Sequence, residues 1–273
     1  MPELPEVETV KNELLPHIIG RQITGVALFW EKMVRQPSVG EFRSRLIGQR
    51  ITGITRRGKY LSLGLTSHEV LIIHLKMSGS LLLKPAAAEN DKYTRAILYL
   101  DGDMALHFRD PRKFGTMWLV ADEDAIIGKL GPEPLEANFT PQLLAKLMSK
   151  RTAPVKALLH DQNVIAGIGN MYADEALHVA RIHPLRPGGS LSRDEVERLN
   201  RAIKEVLSNG IKNMGASTET YYRPSGEKGF AHHHFKVAHR GGQPCPTCNT
   251  PIERIKVRNR GTYFCPKCQP AQR

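Results

Sequence analysis

The chain's 273 residues can bury a substantial core, enough for two domains or for one with an appendage, without help from its four cysteines. A net charge of +12 and a pI near 9.7 point to a polyanionic partner, most simply nucleic acid, because Lys and Arg that neutralise phosphates release counterions. No apolar run reaches the roughly 18 to 20 residues of a spanning helix and no secretion signal opens the chain, so the sequence predicts a soluble, cytoplasmic protein.

The chain opens Met1-Pro2-Glu3-Leu4-Pro5-Glu6. Methionine before a small second residue is commonly trimmed, which would leave a secondary amine beside a carboxylic acid. An α-amino group ordinarily titrates at roughly pH 8 and a lysine at roughly 10.4, so much more of the former is uncharged and nucleophilic at neutral pH. The same residues also suit a plain helix start, with prolines at early positions and Glu3, Glu6 and Glu8 at its positive end. Val7, Val10 and Leu14 recur at helical spacing, and Gly20 ends that helix.

Strand patterns follow in Gln22 to Phe29, Tyr60 to Leu65, Val70 to Leu75 and Ala96 to Leu100, with a hairpin signal at Asp101-Gly102. Residues 1 to 130 are therefore expected to form a mostly antiparallel β domain with one N-terminal helix. Two basic clusters interrupt it: Arg56-Arg57-Gly58-Lys59, and Asp110-Pro111-Arg112-Lys113-Phe114-Gly115. Cations with an aromatic among them suit a duplex opened at one base, and equally a turn with exposed charges. Met77 by itself reads as core.

Gly131-Pro132-Glu133-Pro134 marks a change of period. Pro141 to Lys150, Val155 to His160 and Tyr172 to Ala180 read as helices, and Ser192-Arg193-Asp194-Glu195 is a capping box opening a longer one whose apolar face is Val196, Leu199, Ile203, Val206 and Ile211. Ala166-Gly167-Ile168-Gly169-Asn170 before a helix suits phosphate, with Asn170 as cap or donor and Lys156 in support, although a plain helix connection explains it as well. Helical residues 131 to 235 close with a polar loop from about 217, and 236 to 270 form the last module. There Cys245-Pro-Thr-Cys248 and Cys265-Pro-Lys-Cys268, sixteen residues apart, have four-thiolate zinc spacing, and a turn is expected at Asn259-Arg260-Gly261. Four sulfurs close a tetrahedral site, so one zinc ion would be structural.

In order and spacing, Pro2 to Thr9, Arg57-Gly58-Lys59-Tyr60, His74-Leu75 with Met77, Asp110 to Gly115, Leu130 to Pro134, Ala166 to Asn170 and Arg260-Gly261-Thr262 resemble the formamidopyrimidine-DNA glycosylase family of bacteria. The resemblance spans nearly the whole chain. It implies a multidomain α+β fold: an N-terminal β-sandwich with its helix, a helix-two-turn-helix domain and a C-terminal four-cysteine zinc-finger hairpin, with DNA in the cleft between domains. It implies a base-excision-repair glycosylase and abasic-site lyase, expected as a monomer, acting on double-stranded DNA with oxidised purines or abasic sites. Pro2 would attack C1′ and form a Schiff base, Glu3 would supply a proton, Lys59 would serve β-elimination and Arg260 δ-elimination. Arg112 would probe the estranged cytosine, Met77 and Phe114 would fill the void, and Arg151, Lys156 and Asn170 would hold phosphates. The segment Thr218 to Tyr222, in a loop of about 217 to 225, would fold over the flipped base. Tyr93 stands where many members carry a DNA-contacting histidine, Ser78 replaces an acidic residue of some, and Arg151 appears where lysine is frequent. Related glycosylases for oxidised pyrimidines share Pro2-Glu3; Leu4 after Glu3 and the Met77, Arg112, Phe114 set favour the purine enzyme. A catalytically silent relative would be expected to lose Pro2, Glu3 or Lys59.

Overall fold

The computed structural model describes residues 1 to 271 and divides into two compact units. Among the described residues the first comprises 1–129 and 211–232, the second 130–210 and 233–271.

The first unit begins with helix α1 (Leu4–Ile18), whose Val7, Val10, Leu14 and Ile18 are buried on one stripe. A four-stranded sheet has the order β1 (Ile23–Leu28), β7 (Thr94–Leu100), β8 (Met104–Arg109), β6 (Ser80–Pro85). A five-stranded sheet has the order β2 (Val34–Gln36), β9 (Thr116–Val120), β5 (Val70–His74), β4 (Tyr60–Leu65), β3 (Ile51–Arg57). Every pairing is antiparallel except β2 with β9. Leu81, Leu98 and Phe108 of the first sheet share one core with Leu61, Leu71, Ile73 and Leu119 of the second, together with α1 and with Phe42 and Leu46 of helix α2 (Val39–Leu46). This is the expected sandwich. Helix α2 was not legible from apolar period, since only Phe42 and Leu46 of its residues are buried; its start is fixed by a Ser38–Glu41 capping box.

The first unit also holds a short turn α3 (Asp124–Ile127), and the helices α4 (Pro141–Met148), α5 (Val155–His160), α6 (Asn170–Ala180) and most of α7 (Arg193–Lys212) belong to the second. The expected capping box opens α7: Ser192 N–H donates to Glu195 at 2.8 Å, and Glu195 N–H to Ser192 Oγ at 3.3 Å. Its inner face is Val196, Leu199, Ala202, Ile203 and Leu207, whereas Val206 and Ile211 are only half-buried, because the stripe follows 3.6 residues per turn onto Leu207. The finger hairpin pairs β10 (Glu253–Val257) with β11 (Arg260–Phe264). Its turn is one residue earlier than expected. Arg258 and Asn259 hold positive φ of 44° and 63°, as a two-residue hairpin loop matched to strand twist requires, and Arg260 opens the returning strand. Among the described residues no helix is long and apolar enough to cross a membrane.

Candidate functional site

Pro2 and Glu3 lie buried immediately ahead of α1, and Glu3 is the helix N-cap. Glu3 N–H donates to Glu6 Oε2 at 2.7 Å, while Glu6 Oε1 accepts from Ala216 N–H at 2.7 Å. The fully buried Glu6 thus ties the residue after Pro2 to the root of the loop at 217. Tyr221 of that loop donates its hydroxyl to the Glu6 carbonyl at 3.2 Å; burial first, and then the Glu6 charge, push its phenol well above the ordinary range.

Lys59 belongs to the tight β3–β4 turn, in which Arg57 pairs with Tyr60. Gly58 holds φ +58° there, which a side chain would strain, and Lys59 is 4% exposed. Helix α1 packs on the same two strands, β3 and β4. On β5, opposite Tyr60, His74 is buried and pushed down to about 3, chiefly by burial and then by the charges of Lys76 and Lys59. Its Nδ1 accepts Lys76 N–H at 2.8 Å, so the neutral ring carries its proton on Nε2.

Met77, Arg112 and Phe114 occupy two turns that Asp110 joins. One Asp110 oxygen accepts from Ser78 Oγ and from Arg112 N–H at 3.2 Å, and the other from Gly115 N–H at 2.7 Å. Met77 is 42% and Phe114 46% exposed, so Met77 is no core methionine, and the Arg112 guanidinium lies 4.9 Å from the Phe114 ring centre. Two exposed apolar side chains and one cation are therefore presented by turns locked together from behind. Tyr93 is half-buried, with the Arg109 guanidinium 4.8 Å and the Lys92 ammonium 5.2 Å from its ring centre.

In the second unit Arg151 is exposed, but Lys156 is not: its ammonium is buried against Asp174 and donates to the Asn170 carbonyl at 2.6 Å. Its charge faces the start of α6, and the phosphate role expected of Lys156 stays an expectation. Asn170 is the first residue of α6 and does not cap it; Gly169 does. Its Nδ2 donates to the Gly261 carbonyl at 2.9 Å, and Asp174 accepts Tyr263 N–H at 3.2 Å. These two bonds fix β11 on both sides of Thr262 and so set the origin of exposed Arg260. Lys156, His160, Arg258 and Arg260 line one hollow of about 230 Å³. Burial raises Asp174 to about 7 against the opposing pull of Lys156. Gln162 shapes the glycine loop, accepting Gly167 N–H at 2.9 Å and donating to the Ile168 carbonyl at 2.8 Å.

Gln162, Asp174 and Glu175 were not read from the sequence as anchors, and Glu6 and Asp110 were read only as parts of motifs. Glu175 accepts the N–H groups of Lys236, Val237 and Ala238 at 2.8–3.0 Å and so anchors the approach to the finger. The available signal was spacing: Asp174 stands one turn after Asn170, on the face that α6 buries.

The four cysteine sulfurs of the finger lie within 4.8 Å of one another, with Cys245 and Cys265 buried. Four soft ligands converging at this distance suit one tetrahedral zinc ion and leave it no open position.

Three family profiles match in succession: the formamidopyrimidine-DNA glycosylase N-terminal domain over residues 1–117, the H2TH domain of the same enzyme over 130–222, and a zinc finger found in Fpg and IleRS over 242–271. The chain belongs to the formamidopyrimidine-DNA glycosylase family. The formamidopyrimidine-DNA glycosylase of Chloroflexus aurantiacus is 48% identical over 272 residues, covering 98% of each chain, and that of Geobacillus kaustophilus is 43% identical, covering 98% of this chain and all of the other. A Lactococcus lactis Fpg variant in complex with Fapy-dG-containing DNA superposes with a TM-score of 0.93 at 35% identity, covering 99% of this chain and 100% of the other. The Fpg protein of Thermus thermophilus gives 0.90 at 38% identity, covering 100% of both chains. The cysteine cluster is accordingly the zinc site of a formamidopyrimidine-DNA glycosylase, one structural ion closing the finger.

Proposed function

We propose that this protein excises oxidised purines, 8-oxoguanine and formamidopyrimidines, from double-stranded DNA and then cuts the strand by β,δ-elimination. The single observation that carries the reading is the Pro2-Glu3 pair held buried at the head of α1, with Lys59 presented by the hairpin on which that helix packs. With Met1 removed, the Pro2 nitrogen attacks C1′ of the damaged nucleotide, the base leaves with a proton that Glu3 supplies, and the opened sugar becomes a Schiff base. Lys59 moves protons in β-elimination, and Arg260 serves δ-elimination, which frees the sugar remnant and leaves a one-nucleotide gap. Arg112 reads the estranged cytosine while Met77 and Phe114 fill the void. Arg151 and Asn170 are assigned to phosphates, with Lys156 holding Asn170 from behind, and zinc does no chemistry. The Lactococcus lactis structures, whose complexes contain Fapy-dG or an abasic site, support the substrate class.

Borohydride reduction tests the nucleophile, because only an iminium is trapped. The Met1-free protein is expected to form a covalent adduct with 8-oxoguanine DNA, and Pro2→Gly to form little; full trapping by Pro2→Gly would discredit Pro2. Parallel duplexes with 8-oxoguanine opposite cytosine and with thymine glycol test the substrate, and preference for thymine glycol overturns the purine assignment.

A further inference from the structure

The segment from 217 to 225 is written in polar residues and reads as a free lid, yet the structure fastens its second arm to the four-stranded sheet. Ser80, the first residue of β6, donates through its hydroxyl to the Thr220 carbonyl at 3.3 Å and accepts Tyr222 N–H at 3.1 Å; three residues on, Leu83 N–H donates to the Pro224 carbonyl at 2.9 Å. Arg223 pairs with Glu13 of α1 at 2.6 Å. Directly across the sheet from Ser80 stands Arg109, the last residue of β8, so the two side chains lie on one face. The Arg109 guanidinium carbon is 4.8 Å from the Tyr93 ring centre and 5.5 Å from that of Tyr222. Its Nε donates to Asp91 at 2.6 Å, and Asp91 also accepts Tyr93 N–H at 2.6 Å, so Asp91 fixes both the cation and the ring beneath it.

We propose that Arg109 is a positioning residue that docks the 217–225 loop by stacking between Tyr93 and Tyr222. A planar guanidinium attracts both ring faces, which a lysine ammonium does less well. Tyr93 then serves as the floor of this stack. The consequence for the reaction rests on the reading of 217–225 as the segment that covers the flipped base. If the loop holds the base, loosening it slows base removal, while cleavage at a site that already lacks a base proceeds without it.

Two measurements on the full zinc-loaded protein test this. In hydrogen exchange without DNA, Arg109→Ala is expected to raise the exchange rate of amides 218–223 by about tenfold, the scale of two lost ring contacts, while Tyr222→Phe, which keeps the ring, retains their protection. In single-turnover assays Arg109→Ala is expected to slow 8-oxoguanine release by a similar factor and to leave abasic-site cleavage close to that of the parent. Unchanged exchange in Arg109→Ala overturns the docking. Equal loss of both activities overturns the selective role and marks general damage. A parent that removes no 8-oxoguanine, but whose loop loosens in Arg109→Ala, sinks the substrate assignment and sustains the docking.

Discussion

Glu3 is placed by a bond its own backbone makes: its N–H donates to Glu6, and that carboxylate is itself held by Ala216. In the proton-donor role proposed for it, Glu3 would contribute about 10²- to 10⁴-fold to the step it serves. Glu3→Gln is therefore expected to slow base release by about that factor and to spare duplex binding, as single-turnover excision and gel-shift titration would show; unchanged release removes Glu3 from the mechanism. His74 makes a second residue-scale prediction. Its folded value of about 3 lies below the ordinary 6.5 of a histidine, so across that window the unfolded chain binds a proton that the folded chain refuses. The stability at stake is fully present above about 6.5 and is lost as pH falls towards 3. Denaturant midpoints should fall on acidification more steeply for the parent than for His74→Asn, whose amide oxygen can still accept Lys76 N–H. Identical pH slopes would show that His74 is not titrating there.

At the scale of elements, what could be read from sequence were features written locally. The Ser192–Glu195 box, the two CxxC turns, α1 and the strand β4 all declare themselves within a few adjacent residues. The side-chain anchors did not, because their partners are distant in the chain: the carboxylate of Glu6 reaches residue 216, that of Glu175 reaches 236 to 238, and the hydroxyl of Ser80 reaches 220. The partner of Lys156 is hidden for the same reason, since a lysine on a short helix looks solvated until Asp174 folds against it. The turn 110–115 combines both kinds of information. Its composition announced exposed cations, while its shape depends on Gly115, where an added Cβ would fall 2.4 Å from Phe108 Cζ in the core. Gly115→Ala is expected to destabilise the first unit by about 1–3 kcal/mol, as overpacking does, and to weaken opposite-base discrimination by displacing Arg112 and Phe114. Chemical denaturation and excision opposite each of the four bases check the two parts separately; a variant as stable as the parent would show that Phe108 yields freely.

For the whole molecule, +12 charges are an excess that water and salt solvate well, so their effect on DNA must show as salt dependence rather than as fold. Each phosphate neutralised contributes about −0.9 to the slope of log K against log salt. Arg151, exposed after α4, is assigned such a contact, whereas buried Lys156 is not. Arg151→Ala should therefore make the slope shallower by about 0.9 with the fold intact. Lys156→Met leaves Asp174 without its cation and acts by a different route: breaking one side of a buried pair costs about 3–5 kcal/mol, and the loss should appear as lower stability and a displaced finger hairpin. Zinc removal converges on the same hairpin from the other side, because the ion's binding energy is folding energy for a module of this size. Chelation is expected to unfold 242–271, to free the strand that Asn170 and Asp174 grip, and to abolish δ-elimination before duplex affinity is gone. The products of abasic-site cleavage, resolved by their 3′ ends after dialysis against a chelator, read this directly. Unaltered β,δ products from protein shown to be metal-free would mean that Arg260 needs neither the finger nor the two bonds that hold its strand.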